Sequence, residues 1–542
     1  MTLKQDAIPL SSKAGFAMRA DTARAFGVAV AYLLLGALTL SPLLWVHIPP
    51  LVDYPVHLAR MSVLLHDGDG SAIATNYVAH WHLLPNLGMD LVVPVLAQLM
   101  PLELAGKLFV ALSMSLSVIG TATLHRALYG RVGLWPLCAL LSVYNVILWY
   151  GFLNYLFGLG IALLAFSAWV ASERRPTRWR IAGFAAVAAA IFVIHLFAFG
   201  VYGLLVVSYE AGNAAASRGP LKDKALLLAG ALLQFVPSGL MLLGVEGGPL
   251  FTQFGDLNAR LSALVAPAFF DDGDKTVLDA AIFAIEFVLL PCALLAGALR
   301  VSPRMRFPLL AMIVVSALMP EWLKGSWDAH VRLPVALVFV LIASTRFDRS
   351  HRAFAMCFAI LVPALLGLRI WAVTENWHDM DLRMTELRAA LQSVPEGARI
   401  LTVQSPMPAA WQRPSGFRRL IDSTGAPSFS HLPALAVLDR GAFYVPLFTG
   451  WYPIEASPRN RGMPRLLNGI LTPAELLERL DQPSPAAPAL DALGEPPCCY
   501  EWQKHFDFVL WTDFGSPPAS LPKALAPWAS GSFFHVYRIT RP

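Results

Sequence analysis

Residues 25–46 read AFGVAVAYLLLGALTLSPLLWV, and after two residues the chain continues at 49–60 as PPLVDYPVHLAR. The first stretch carries no charge and is long enough to cross a ~30 Å hydrocarbon core at about 1.5 Å per residue. Lys4, Lys13, Arg19 and Arg24 precede it. No small-x-small cleavage pattern closes it, so it reads as an uncleaved first membrane helix that starts in the cytoplasm. The second stretch brings Asp53, His57 and Arg60 directly after the crossing. The composition agrees with a membrane reading. Of 542 residues, 56% are hydrophobic and 14% charged, against about 25% charged in a typical soluble domain. These figures exclude a disordered chain, a disulfide-stapled miniprotein and a basic nucleic-acid binder.

Further apolar runs fall at about 102–124, 133–149, 152–171, 180–194, 197–216, 225–245, 277–299, 307–322, 332–345 and 353–373. With the first, the sequence predicts about eleven spans. Residues 132–172 and 180–216 are each too long for one crossing, so turns are expected near Tyr150-Gly151 and near His195. Alternation then places Arg126, Arg131, Arg174, Arg175, Arg178, Arg180, Arg218, Lys222, Lys224, Arg300, Arg304, Arg306, Arg346, Arg349 and Arg352 on the starting side. The opposite loops hold Asp53, Glu246, Asp256, Asp271, Asp272, Asp274, Glu321 and Asp328. This is the positive-inside asymmetry. It predicts a multi-pass protein of the inner (cytoplasmic) membrane, with a cytoplasmic N-terminus and an extracytoplasmic C-terminus.

The texture changes near Thr374. Residues 378–394 read as an amphipathic helix. Arg399–Val403, Phe506–Trp511 and Phe533–Ile539 read as strands, and Pro and Ser cluster at 482–489. The fold class expected is a mainly α transmembrane bundle, residues 1–373 with a long first outer loop at 47–101. It is followed by a small soluble α/β domain, 374–542, on the outer face. Cys138, Cys292 and Cys357 lie in apolar runs, whereas Cys498 and Cys499 are adjacent in a polar region. Neighbouring cysteines rarely suit a bridge to each other, and no metal-type CxxC spacing occurs.

Charged and polar residues are costly at membrane depth, so those near the outer face are informative. Pro55 opens a short helix that puts His57 and Arg60 on one face with Asp53 at its N-cap. Asp53 is then either a helix cap or a general base at a cavity mouth. Arg60 is either the partner of a phosphate or of an outer acid. Asp53, His57, His80, His82 and Asp90 are candidate ligands for a divalent metal, although no HExxH-type motif is present. No cofactor is otherwise indicated. Asn154, in GFLNYLFG at 151–158, and His195, in IHLFAFG at 194–200, come to the same depth. So does the stretch 324–334, KGSWDAHVRLP, with Lys324, Asp328, His330 and Arg332. Two cations beside an aromatic at the membrane surface suit a lipid-linked phosphate. No P-loop or dinucleotide-binding glycine pattern occurs.

The stretches DYPVHLAR (53–60), LPNLGMD (84–90), WYGFLNYLFGLG (149–160) and HLFAFG (195–200), with the topology, resemble a bacterial branch of the GT-C superfamily of integral-membrane glycosyltransferases. Asp53 stands where that family carries its catalytic carboxylate. Many members have an adjacent acidic pair there, whereas here Tyr54 follows. The resemblance implies inverting sugar transfer from a polyprenyl-phosphate-linked donor to a glycan, lipid or protein acceptor. In that scheme Asp53 is the base; Arg60, Lys324 and Arg332 stabilise the departing phosphate, and His57 and His330 orient substrate. Two other classes compete. A transporter or flippase would need polar residues deep in several spans, for which Gln234 and Glu286 are the main candidates, and it lacks repeat symmetry. A non-catalytic envelope scaffold would use only its outer domain.

Overall fold

The computed structural model describes residues 10–173, 177–245, 251–271, 276–348, 350–408, 411, 427–447, 449, 452–460, 470–480, 499–518 and 521–541. Arg174, Arg175, Glu246, Asp272, Asp274, Arg349, Cys498 and the Pro/Ser cluster at 482–489 lie outside the described residues. Among the described residues, six helices are long and apolar enough to cross a membrane, or seven if one bent pair counts as a span. They are Ala25–Leu44, Leu102–Tyr129, Leu153–Ala171, Leu196–Ala216, Val277–Leu295 and Arg352–Leu391. The pair Leu221–Leu233 and Val236–Leu243 bends by 45°. The chain is therefore a multi-pass, mainly helical membrane protein.

The difference from eleven has local causes. The run 133–149 does not form one long helix. It gives a 3₁₀ segment, Trp135–Ser142, entered through Pro136, and then a single helical piece, Val146–Tyr150. Asn145 separates them because its side chain accepts from the backbone N–H groups of Ile147 and Leu148, at 2.9 and 3.1 Å. That N-cap starts a new helix rather than continuing an old one. The runs near 307–322 and 332–345 yield helices of 13 and 16 residues, Arg306–Leu318 and Ala329–Ser344. Thr177–Ile194 has 18 residues, about 27 Å. The boundary expected at Thr374 is crossed by one continuous helix, Arg352–Leu391, of 40 residues. At about 1.5 Å per residue it is twice the bilayer core in length, and it runs from the apolar half into the sheet-bearing half.

Both expected turns occur. Gly151 takes φ 82° at the end of Val146–Tyr150, and His195 is the extended N-cap of Leu196–Ala216. Asp53 lies against Gly151 at the start of helix Leu153–Ala171, whose far end brings Glu173 to Arg304 at 3.2 Å. At that far end Leu299–Val301 and Thr345–Phe347 form a two-stranded ladder pairing Arg300 with Arg346, and Arg346 lies over the Tyr129 ring.

The expected α/β part contains a mixed six-stranded sheet. The three strands expected from the sequence occur as Arg399–Gln404, Phe508–Thr512 and Phe534–Ile539. They are neighbours, parallel in the first pair and antiparallel in the second. Phe443–Tyr444 and Ile470–Leu471 pair in parallel with Arg399–Gln404. The first loop is knitted to this half of the chain. Tyr77–Ala79 pairs antiparallel with Ile454–Ala456, and buried Asn76 donates to the carbonyls of Gly397 and Gly441 at 3.1 and 2.8 Å. Cys499 is disulfide-bonded, while Cys138, Cys292 and Cys357 are free thiols.

Candidate functional site

Asp53 precedes the helix Tyr54–Leu65, whose first turn contains Pro55. The backbone around it is fixed by two long-range bonds. The N–H groups of Val52 and Asp53 donate to the carbonyls of Trp149 and Tyr150, at 2.9 and 3.0 Å. Gly151 makes this approach feasible. A Cβ there would stand 3.2 Å from the Asp53 nitrogen, and the positive φ is itself strained for any other residue. The Asp53 carboxylate makes no cap bond to its helix, so the bland alternative of a capping residue does not hold. It is mostly buried, at 18% side-chain exposure, and lies 3.6 Å from Nε2 of His431. Burial pushes its pKa up to about 7, against the weaker opposing pull of Arg60.

Arg60 does not face an open cavity. Its Nε and Nη2 donate to the two oxygens of Asp90 at 2.8 and 3.1 Å, with both side chains fully buried. Its Nη1 donates to Nδ1 of His57 at 3.0 Å. Its guanidinium carbon lies 3.6 Å from the centre of the Tyr452 ring. Arg60 is thus bound to an acid, an imidazole and an aromatic face; of the two partners expected for it, a phosphate or an acid, the structure shows an acid. His57 is equally fixed. Because Nδ1 accepts from Arg60, the proton sits on Nε2, which donates to the carbonyl of Gly151 at 3.1 Å. Burial and the adjacent guanidinium hold its pKa well below the usual histidine range. Asn154 braces the same unit: its Oδ1 accepts from Met89 N–H at 2.6 Å, and its Nδ2 donates to the Asn86 carbonyl at 2.7 Å. Asn86 in turn donates to the Tyr452 hydroxyl. These residues brace one another and the backbone around Asp53.

The stretch 324–332 forms a second cluster. Arg332 is buried, donates to Ser326 Oγ at 2.8 Å and to the Trp327 carbonyl at 3.1 Å, and sits over the rings of Phe152 and Phe197. Its Nε has no hydrogen-bond partner. Asp328, in the left-handed region at φ 55°, is buried, and that burial pushes its pKa up to about 7. His330 donates Nε2–H to Ser262 Oγ at 3.1 Å, since that hydroxyl already donates to the Ala259 carbonyl. Its Nδ1 is 3.7 Å from Asp328. His195 accepts the Phe197 N–H on Nδ1 at 3.1 Å and meets the Tyr155 ring edge-on. Lys324 is exposed. Tyr150 joins the two clusters. Its carbonyl holds Asp53, and its ring packs on Trp327 and Phe152 at 5.2 and 5.3 Å.

The metal candidates do not converge. Asp90 is paired with Arg60, His57 has both nitrogens engaged, His80 pairs with Glu455 at 2.9 Å, and His82 bonds the carbonyl of His80. Among the described residues, no three His, Cys, Asp or Glu side chains could hold a metal together. Sequence reasoning missed His431, Tyr444 and Tyr452, which the sheet-bearing half brings to Asp53 and Arg60. They sit hundreds of residues from Asp53 in segments without a helix or strand period, and no local signal marks them.

No family model matches the chain, and no curated protein matches it. Among solved structures, the chain is similar to the crystal structure of ArnT from Cupriavidus metallidurans bound to undecaprenyl phosphate. The identity is 11%, covering 95% of this chain and 98% of that one, with a TM-score of 0.48. The apo state of the same protein gives 12% identity over 96% and 98%, also with a TM-score of 0.48. The cryo-EM structure of the arabinofuranosyltransferase AftD from Mycobacteria is 15% identical over 95% of this chain and 40% of that one, with a TM-score of 0.46.

Proposed function

We propose that this protein is a membrane glycosyltransferase that moves a sugar from a polyprenyl-phosphate carrier to an acceptor hydroxyl. The observation that carries the reading is the state of Asp53. It is a largely buried carboxylate that makes no cap bond, held by its backbone in a fixed place and poised near neutrality. A general base works best when its pKa lies near the working pH. The donor class is taken from the sequence resemblance, and Arg332 suits it. Among the described residues, this buried guanidinium makes no ion pair within 4.0 Å and keeps one N–H unpartnered, so an anion arriving there would complete its coordination.

In the proposed reaction the acceptor oxygen attacks the anomeric carbon from the face opposite the carrier phosphate. Its O–H proton goes to Asp53. The anomeric C–O bond breaks with its electron pair staying on the phosphate, whose charge Arg332 stabilises. The configuration inverts. The Tyr150, Trp327 and Phe152 rings between the two clusters offer an apolar surface for the carrier or the sugar. The positive-inside distribution of the loops supports an extracytoplasmic position for this end. The two polar residues that a transporter reading would use are partly engaged: Gln234 accepts from Tyr202 at 2.7 Å and donates to the Ala231 carbonyl, and Glu286 accepts from Ser142 at 2.6 Å through one oxygen while its other oxygen has no hydrogen-bond partner. The test is undecaprenyl-phosphate binding to purified protein, read by native mass spectrometry. Arg332→Ala is expected to weaken binding by about tenfold or more, while unchanged binding would remove the phosphate role.

A further inference from the structure

We infer that the end of the bundle opposite Asp53 carries a binding site for the head group of an anionic glycerophospholipid, held by Arg131, Arg300 and Arg346. The inference is independent of the proposed transfer reaction and uses none of its residues.

The helix Leu102–Tyr129 sets the position. Its Gly106 lies against Tyr54, the neighbour of Asp53, and Tyr129 closes the same helix about 35 Å further along. Arg131 follows directly. Beside it, the ladder of Leu299–Val301 and Thr345–Phe347 joins the end of the helix Leu290–Leu295 to the end of Ala329–Ser344. Leu299 stands opposite Phe347, Val301 opposite Thr345, and Arg300 opposite Arg346 at the centre. The central pair is exposed while the flanking residues are buried or half-buried. Residues directly opposite in an antiparallel pair share a face with Cβ atoms about 5 Å apart, and like charges so placed repel. The ladder therefore holds two guanidiniums side by side at the surface, at a cost in stability that an anion between them would remove.

The chain answers only part of this charge. Asp348 ion-pairs with Arg300 through one oxygen, and its other oxygen accepts from the N–H and hydroxyl of Ser350. Among the described residues, Arg131 and Arg346 make no ion pair. The Arg346 guanidinium lies 5.1 Å from the centre of the Tyr129 ring, which is itself fixed by donation of its hydroxyl to the Ser344 carbonyl at 2.6 Å. Arg131 and Arg346 both act electrostatically on buried His125, which places Arg131 near the pair.

The surroundings favour a lipid over a free ion. Trp135 meets Phe347 and Phe358 edge-on at 4.7 and 5.3 Å and donates to the Ile342 carbonyl and the Thr345 hydroxyl, both at 3.0 Å. Indole rings at the end of a span belong at head-group depth. Leu134, next to Trp135, and Leu295, just before the ladder, are 58% and 89% exposed and offer contact for acyl chains. A phosphate between Arg300 and Arg346 accepts from two planar forks, and basic pockets between spans suit acidic head groups. A zwitterionic head group would bring its own cation to three arginines, so an anionic lipid fits better.

The experiment uses full-length protein in neutral detergent micelles. It reads the melting temperature as phosphatidylglycerol, phosphatidylcholine of the same chains, or sodium phosphate at matched ionic strength is added. Phosphatidylglycerol is expected to raise it with half-saturation at least tenfold below that of phosphatidylcholine, and sodium phosphate to leave it unchanged. Arg300→Gln/Arg346→Gln should weaken the phosphatidylglycerol response at least tenfold, since each basic group near an anionic lipid surface is worth about fivefold. Either single substitution should weaken it about fivefold, which keeps the test readable if the double variant misfolds. Arg218→Gln/Lys222→Gln removes the same charge from exposed residues beyond the helix Leu196–Ala216, outside the ladder, and should change the response less than twofold. Wild-type protein with no preference for phosphatidylglycerol, or ladder variants that keep the wild-type preference, would overturn the site. An equal loss in Arg218→Gln/Lys222→Gln would overturn it too, because overall charge would then account for the binding. A response to sodium phosphate matching that to phosphatidylglycerol would assign the arginines to a free anion and overturn the lipid.

Discussion

The Arg60–Asp90 pair gives the sharpest structural prediction. Both side chains are completely buried, and two charge-assisted bonds join them at 2.8 and 3.1 Å. Replacing one partner leaves a charge without compensation in a water-free setting, which costs about 3–5 kcal/mol. Asp90→Ala should fall in that range. Arg60 cannot neutralise itself, and its remaining contacts, His57 and the Tyr452 ring, carry no negative charge. Arg60→Ala should cost less, because an orphaned Asp90 can take up a proton. The double variant Arg60→Ala/Asp90→Ala should be less destabilised than the sum of the singles by about 2 kcal/mol. The assay is equilibrium unfolding in mixed micelles, run on all four corners of the cycle at one pH. A coupling energy below about 0.5 kcal/mol would refute the reasoning. It would mean that the pair is not formed, and would return Arg60 to the set of groups free to meet a phosphate.

Four other outcomes follow from the site. Asp53 is raised to about 7, so it is protonated and inactive as a base below that pH; kcat/KM should fall about tenfold per pH unit on the acid side, measured from pH 5 to 8. A carboxyl whose folded pKa exceeds its unfolded value of about 3.9 destabilises the fold as pH rises through the window from about 4 to 7. Asp53→Asn should therefore melt at a higher temperature than wild type at pH 8 and at the same temperature at pH 4, by scanning fluorimetry. Gly151→Ala places a Cβ 3.2 Å from the Asp53 nitrogen in a left-handed backbone, and should cut transfer at least tenfold while membrane insertion persists. Chelation by EDTA should leave transfer unchanged if the four engaged candidates, Asp90, His57, His80 and His82, bind no metal; a chelation-sensitive rate would contradict the assignment of those side chains.

Much of this was readable from local patterns. The first span, the turns at Gly151 and His195, and the three central strands each follow from composition or periodicity within a dozen residues. The segment 133–149 was not readable, because its apolar content matches a span while Pro136 and the Asn145 cap divide it. Nor was the end of the helix Arg352–Leu391, since an apolar run and the amphipathic run after it share one helical period. In the site, Asp53 and the 324–332 cluster stood out because charge is scarce in this chain. The partners were hidden. Arg60 meets Asp90 across 30 positions, and His431 reaches Asp53 only through the docking of the first loop on the sheet-bearing half. Such pairings depend on tertiary structure, which residue spacing does not encode.

In the proposed reaction Asp53 deprotonates an acceptor during transfer from a polyprenyl-phosphate sugar. The most direct measurement is single-turnover release of polyprenyl phosphate by wild-type and Asp53→Asn protein in the same liposomes, with acceptor glycan present. Asp53→Asn should lose about 10²- to 10⁴-fold, with carrier binding retained through Arg332. Equal rates in the two proteins would contradict it.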